Sequence, residues 1–198
     1  GGVIDFIEAL NDLARYEVFC TVWLRIYKRK LWEEIRFPNG RNYEDSAVIH
    51  KIILKAGRVS YLDKVFYKYR KRSGSISTTS SVKNISDYFL TMKEFDAFVN
   101  ENTPKIFHKK TRSIRTSISL MPLFYFAFIE LKKIKTQESL ELQKAMKKEI
   151  LSKIKHLSLR YFPLKGLTVF ILIKFCPSLY PFIRLCYRAV KKLVGIRK

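Results

Sequence analysis

The chain has 198 residues, of which 47% are hydrophobic and 14% aromatic, a composition that excludes intrinsic disorder and fits one domain plus an appendage. Lys and Arg number 39 against 17 Asp and Glu, a formal net charge of +22. That excess favours anionic partners such as nucleic acid, a membrane face or phosphorylated substrates, and does not choose among them.

From the start of the chain, residues 3–14 carry Ile4, Ile7, Leu10 and Leu13 near one stripe, which predicts an amphipathic helix. Residues 18–24 are β-branched and aromatic and predict a short buried strand or a tight bend. Lys28 to Glu34 suits one or two helical turns. Phe37-Pro38-Asn39-Gly40 is turn chemistry, since Pro fixes φ and Gly tolerates positive φ. Glu44 to Ala56 predicts a helix with Val48, Ile49, Ile52, Ile53 and Ala56 on one face and Lys51 and Lys55 on the other. Gly57 stands where a helix stop belongs, and the two opening acids suit the positive helix end. Residues 58–70, with Val59, Tyr61, Val65, Tyr67 and Tyr69 alternating, predict a strand pair or a bent strand. Residues 73–81 are a Ser/Thr/Gly loop.

The pattern is helical over 84–100, over 104–134 with a kink or break at Pro122, and over 136–155. Residues 156–198 differ in kind: no acid follows Glu149, and Lys and Arg alternate with large apolar residues. The run Leu167 to Ile173 is too short for a clean spanning helix, so this tail is expected to lie on a membrane surface, with two core helices as the alternative. Cys20, Cys176 and Cys186 are too few for a disulfide framework and lack zinc-site spacing, which fits a reducing cytoplasm. No signal peptide is evident in the first ten residues, and the absence of an initial Met suggests a fragment.

Three segments carry the chemistry. They are Val22-Trp23-Leu24-Arg25-Ile26-Tyr27-Lys28-Arg29-Lys30-Leu31; then Ile35-Arg36-Phe37-Pro38-Asn39-Gly40-Arg41-Asn42-Tyr43-Glu44-Asp45; then Tyr67-Lys68-Tyr69-Arg70-Lys71-Arg72-Ser73-Gly74-Ser75-Ile76-Ser77. In order and spacing they resemble the second half of bacterial family 2 glycosyltransferases of GT-A type, which build surface polysaccharides. Those enzymes carry W-N-K-L-Y-K-R-x-L-F, R-F-P-x-G-x-x-x-E-D and Y-x-Y-R-x-R-x-x-S-I segments. Leu24 and Ile26 depart from the pattern, and Arg72 stands near a position where many relatives have a His. The resemblance covers roughly the first 80 residues.

The resemblance implies an α/β remnant of a GT-A-like catalytic domain over residues 1–82, on the acceptor side. A mainly α-helical extension over 83–155 and the basic tail over 156–198 follow. It implies inverting transfer of a sugar from a nucleotide-sugar donor to a surface polysaccharide or glycolipid acceptor. Asp45 is then the expected base for the acceptor hydroxyl, with Glu44 orienting the acceptor or Asp45 itself. Arg70 and Arg72 suit a diphosphate, Ser75 and Ser77 would assist, and Trp23 and Tyr27 would line an acceptor pocket. Taken alone, the Glu-Asp pair also reads as helix-dipole stabilisation, and the aromatics as core.

The complete enzyme is expected to use Mg2+ or Mn2+ held by an Asp-x-Asp motif, which these 198 residues lack, so that the metal ligands are mostly missing from this chain and none is assigned here. His50, His108 and His156 are scattered. The chain is therefore expected to be inactive in isolation, cytoplasmic, and peripheral to the inner face of the bacterial membrane. The alternative is a basic helical module without catalysis, binding a membrane surface or nucleic acid. The spread of charge and the lack of a recognition motif disfavour nucleic acid.

Overall fold

The structure is a computed structural model that describes residues 1–70 and 80–155. Arg72, Ser75, Ser77, most of the 73–81 loop and the whole tail from residue 156, with Cys176 and Cys186, lie outside the described residues.

The described part is mostly helical, with one two-stranded sheet. Strand β1 (Gly2–Asp5) pairs antiparallel with β2 (Arg58–Tyr61), Ile4 opposite Val59. The expected helix over 3–14 therefore begins only at Phe6. Asp5 is the N-cap of α1 (Phe6–Ala14): its Oδ1 accepts the Glu8 N–H at 2.8 Å. Ile4 satisfies both a helical and an alternating pattern, and the β2 partner more than fifty residues away decides for the strand. The expected strand pair over 58–70 is corrected likewise. Only 58–61 is a strand, and its mate is β1 rather than 65–69. Residues 18–24 form no buried strand. Val22–Leu24 is a single 3-10 turn, with Phe19 and Leu24 exposed. A second 3-10 turn, Arg29–Trp32, lies within the expected helical turns.

Helix α2 (Glu44–Ala56) has the expected bounds, and Gly57 ends it at φ +76°. Its apolar face, Ala47, Val48, Ile49, Ile52 and Ile53, is buried. Helix α3 (Val82–Glu101) starts at Ser81, whose Oγ accepts the Asn84 N–H at 3.1 Å. Helix α4 (Lys109–Tyr125) continues through Pro122 and passes into a π turn at Phe126–Glu130 and the short α5 (Leu131–Lys133). A Pro inside a helix removes one ladder N–H. The Gln143 side chain donates to the Ala127 carbonyl at 2.6 Å, satisfying a group in that widened turn. Helix α6 (Gln137–Ile154) opens with a reciprocal cap between Thr136 and Ser139.

Two core clusters meet along α3. Ile85, Phe89 and Met92 pack with Leu120, Leu123, Leu131 and Met146 of α4 to α6. Phe95 and Val99 pack with Leu10, Leu13, Ile49 and Ile53 of α1 and α2. The segment Lys109–Lys133 is long and apolar enough to cross a membrane by length and composition, yet half of its apolar window is buried in this protein core. Buried Asn11 ties the layers: it donates to the Ile7 and Ile106 carbonyls at 2.8 and 2.9 Å and accepts from Thr111 Oγ1 at 2.6 Å.

Candidate functional site

The candidate site lies at the start of α2. The chain arrives through Asn39-Gly40, where Gly40 has φ +69°, and through Tyr43, a non-glycine residue at φ +60°. Tyr43 is the N-cap and makes no side-chain cap bond. The first turn of α2 thus lacks the usual local fastening by Ser, Thr, Asp or Asn.

The fastening comes from α3. Arg41 donates to both carboxylate oxygens of Glu94, at 2.8 and 3.0 Å, and to Thr91 Oγ1 at 2.6 Å. The Asn42 N–H donates to Asp87 Oδ2 at 2.9 Å, and the Asn42 amide donates to Asn84 Oδ1. Lys83 donates to the Gly40 carbonyl at 2.6 Å and to Asp87 Oδ2 at 2.8 Å. The Tyr43 ring meets the Tyr88 ring edge-on, 5.4 Å between centroids. Burial works to raise the Asp87 carboxyl, but the Asn42 N–H and Lys83 hold it below its ordinary range. The Arg41 hydrogen bonds hold Glu94 below its ordinary range as well.

The held turn presents two carboxylates in different surroundings. Glu44 is exposed, while Asp45 is partly buried and accepts the Ser46 N–H at 2.7 Å. Burial pushes the Asp45 carboxyl above its ordinary range; the Ser46 bond opposes this and the Glu44 charge adds to it. Cys20 and Tyr27 flank it from the preceding segment. Burial raises the Cys20 thiol and the Tyr27 hydroxyl, and the Asp45 charge contributes to both. Tyr27 also serves the core: its ring meets Trp32 edge-on at 5.3 Å, and its hydroxyl donates to the Val22 carbonyl at 3.2 Å. Arg25 braces the same bend by donating to the Phe19 carbonyl at 2.6 Å.

Trp23 sits elsewhere, partly exposed, stacked on Tyr69 with centroids 5.2 Å apart and tilted against Tyr67 at 4.5 Å. Arg70 is exposed at the end of the same segment. The structure therefore groups Glu44, Asp45 and Tyr27, and separately groups Trp23 with the 67–70 segment. A shallow open depression lined by Arg29, Trp32, Ile35 and Phe37 includes neither carboxylate. Being open and shallow, it is a weaker candidate than the half-buried acid. Among the described residues no three His, Cys, Asp or Glu side chains gather to hold a metal ion, so the donors present do not fit Mg2+ or Mn2+ unaided.

Sequence reasoning passed over Arg41 and Asn42, which fall on unspecified positions of the Arg-Phe-Pro-x-Gly segment. Their partners lie 42 to 53 residues further on, and no local pattern points to them.

Over part of its length the chain is similar to two curated proteins of Streptococcus pneumoniae serotype 4. It is 38% identical over 55 residues to glycosyltransferase GlyG, covering 28% of this chain and 18% of that protein. It is 34% identical over 76 residues to glycosyltransferase GlyA, covering 37% of this chain and 11% of that protein. The chain thus spans less than a fifth of either relative. No family model and no solved structure matches it. These partial similarities support a glycosyltransferase-like function in general.

Proposed function

We propose that the chain is the acceptor-side part of an inverting, family 2-like glycosyltransferase of GT-A type, with Asp45 as the base. The observation that carries this reading is the half-buried Asp45, its carboxyl raised by burial, beside an exposed Glu44 at a helix start. A base works best when its pKa approaches the working pH, and partial desolvation moves Asp45 in that direction.

On this reading the acceptor hydroxyl approaches Asp45 and loses its proton to a carboxylate oxygen as the new glycosidic bond forms. The bond to the nucleotide diphosphate breaks on the opposite face of the sugar, which inverts the anomeric centre. Glu44 would orient the acceptor, and Trp23 and Tyr27 would line its path. Arg70, Arg72 and Ser75 would meet the departing diphosphate by charge-assisted bonds. The nucleotide-sugar donor, and the Mg2+ or Mn2+ that would neutralise its diphosphate, are assigned to residues outside this chain. The acceptor is a surface polysaccharide or glycolipid, and the protein works at the cytoplasmic face of the membrane, its basic tail against anionic lipid.

The test is Asp45→Asn in this segment joined to a complete nucleotide-binding half. Loss of a general base typically lowers turnover about 10²–10⁴-fold, while donor affinity stays nearly constant. Turnover near normal in Asp45→Asn would overturn the assignment and leave Glu44 as the next candidate.

A further inference from the structure

We propose that the polar stripe of α3 is the positioning element of the candidate base: Asn84, Asp87, Thr91 and Glu94 hold the 40–43 turn, and through it Asp45, in the geometry needed to receive a proton. This rests on the reading of Asp45 as base given under Proposed function.

The spacing carries the first part of the argument. Residues 84, 87, 88, 91 and 94 recur at three- and four-residue steps and so share one face of α3. Asn84, Asp87, Thr91 and Glu94 on that face each hydrogen-bond a residue of the 41–42 turn, and the fifth, Tyr88, packs its ring on Tyr43. Lys83 adds a bond to the Gly40 carbonyl. A solvated helix face of random polar residues would not converge on three consecutive residues of one turn.

The second part is what the turn lacks by itself. Tyr43 holds a left-handed conformation, which is unfavourable for a non-glycine residue and persists only where the surroundings impose it. It has no side-chain cap to fix the first turn of α2. The hydrophobic face of α2 fixes the helix body through Ile49, Ile52 and Ile53 but leaves the direction of residues 44 and 45 to the incoming turn. The bidentate Arg41–Glu94 pair and the Asn42–Asp87 bond define that direction.

The consequence is chemical. The titratable groups around Asp45 are Glu44 on its own helix and Cys20 and Tyr27 from the preceding segment. A turn freed from α3 lets the first turn of α2 fray, brings water to Asp45, and moves it away from those neighbours. The carboxylate remains, but its position and basicity change. Misplacing a reacting group by about 1 Å costs up to roughly 10²-fold in rate.

The experiment uses Glu94→Ala and Glu94→Gln, because Glu94 is partly exposed and both variants are expected to fold. Asp87→Ala is the stronger lesion, and Lys55→Met is the control, since it removes the Lys55–Glu34 pair at the far end of α2. In the 198-residue chain, carbon-detected NMR follows the Asp45 carboxyl through a pH titration. The midpoint is expected to fall toward the ordinary carboxylate range in Glu94→Ala, to fall less in Glu94→Gln, which keeps one acceptor for Arg41, and to stay put in Lys55→Met. In the segment joined to a nucleotide-binding half, Glu94→Ala is expected to lower kcat roughly ten- to hundredfold at constant donor KM. It is expected to add nothing in the Asp45→Asn background. An unmoved Asp45 midpoint in folded Glu94→Ala, or equal rate losses with and without Asp45, would overturn the positioning role. Normal turnover of Asp45→Asn would instead overturn the choice of base, and the NMR titration would still decide whether α3 sets the state of Asp45.

Discussion

Arg115 and Asp96 form a buried ion pair at the junction of the two cores, with Arg115 Nε donating to Asp96 Oδ1 at 2.8 Å. The guanidinium also lies over the rings of Tyr16 and Phe95, 4.7 and 4.6 Å from their centroids. Burial works against the Arg115 charge, but Asp96 more than offsets it and raises the pKa. The second Asp96 oxygen accepts from Lys153 at the end of α6. One carboxylate thus joins α3 to both α4 and α6.

Asp96→Asn is therefore expected to be among the most destabilising single changes in the described part. It leaves buried Arg115 without its counter-charge and buried Lys153 with only the more distant Glu149 carboxylate, 3.7 Å away. Breaking a buried pair by removing one partner costs about 3–5 kcal/mol. Chemical denaturation should report a loss of that size, and a far smaller one for removing the exposed Glu34 from its pair with Lys55, where solvent screens the charges.

His50 gives a pH dependence. It is buried in α2 against Phe95 and Phe98, with ring centroids 5.0 and 4.7 Å away, and burial lowers its pKa to about 4, with Lys51 adding to the effect. In the unfolded chain it titrates near its ordinary value of about 6.5. The unfolded state therefore binds the proton first, and stability is complete above pH 6.5 and falls as the pH drops toward 4. A shift of that size corresponds to about 3 kcal/mol over the window. Denaturation curves between pH 7 and 4 should show this fall, and His50→Leu should remove its share of the slope.

Where one helix face or one turn decided the outcome, the sequence was legible. Glu44 to Ala56 carries its acids, apolar stripe and Gly57 stop in a row, and α2 has those bounds. Ile4 and the 65–69 alternation were ambiguous because strand identity depends on a distant partner: β1 took β2, and Tyr67 and Tyr69 went to Trp23 instead. Asp45 was legible as a helix-start acid. The α3 contacts on the preceding turn, on which the proposed role of Asp45 rests, are recorded by no local spacing.

The tail supplies a prediction from sequence alone. Residues 160–198 contain nine Lys and Arg and no Asp or Glu, among large apolar residues. Each such cation near an anionic lipid surface contributes roughly 1 kcal/mol. Vesicles containing anionic lipid should bind the chain with an affinity that falls as salt rises, and removal of residues 160–198 should abolish most of that binding. Binding indifferent to both lipid charge and salt would point to a buried apolar tail.

The Asp45 carboxyl should show itself in the pH dependence of the reaction. The Asp45 carboxyl is raised first by burial, and the neighbouring Glu44 charge raises it further. As a base, Asp45 must be ionised, so kcat/KM of the joined enzyme should fall as the pH drops through that raised pKa. Glu44→Gln removes the adjacent negative charge while keeping the shape. The Asp45 proton is then lost more readily, and the acid limb of the pH–rate profile should move to lower pH. Ser46→Ala keeps the backbone N–H bond to Asp45 and removes the hydroxyl contact at 3.4 Å, which works to lower the Asp45 carboxyl, so its limb should move the opposite way, slightly to higher pH. If Glu44 also orients the acceptor, Glu44→Gln should raise acceptor KM at every pH, an effect distinct from the displaced limb. A limb that does not move in Glu44→Gln would mean that the titrating base is not beside residue 44, and Asp45 would lose its role.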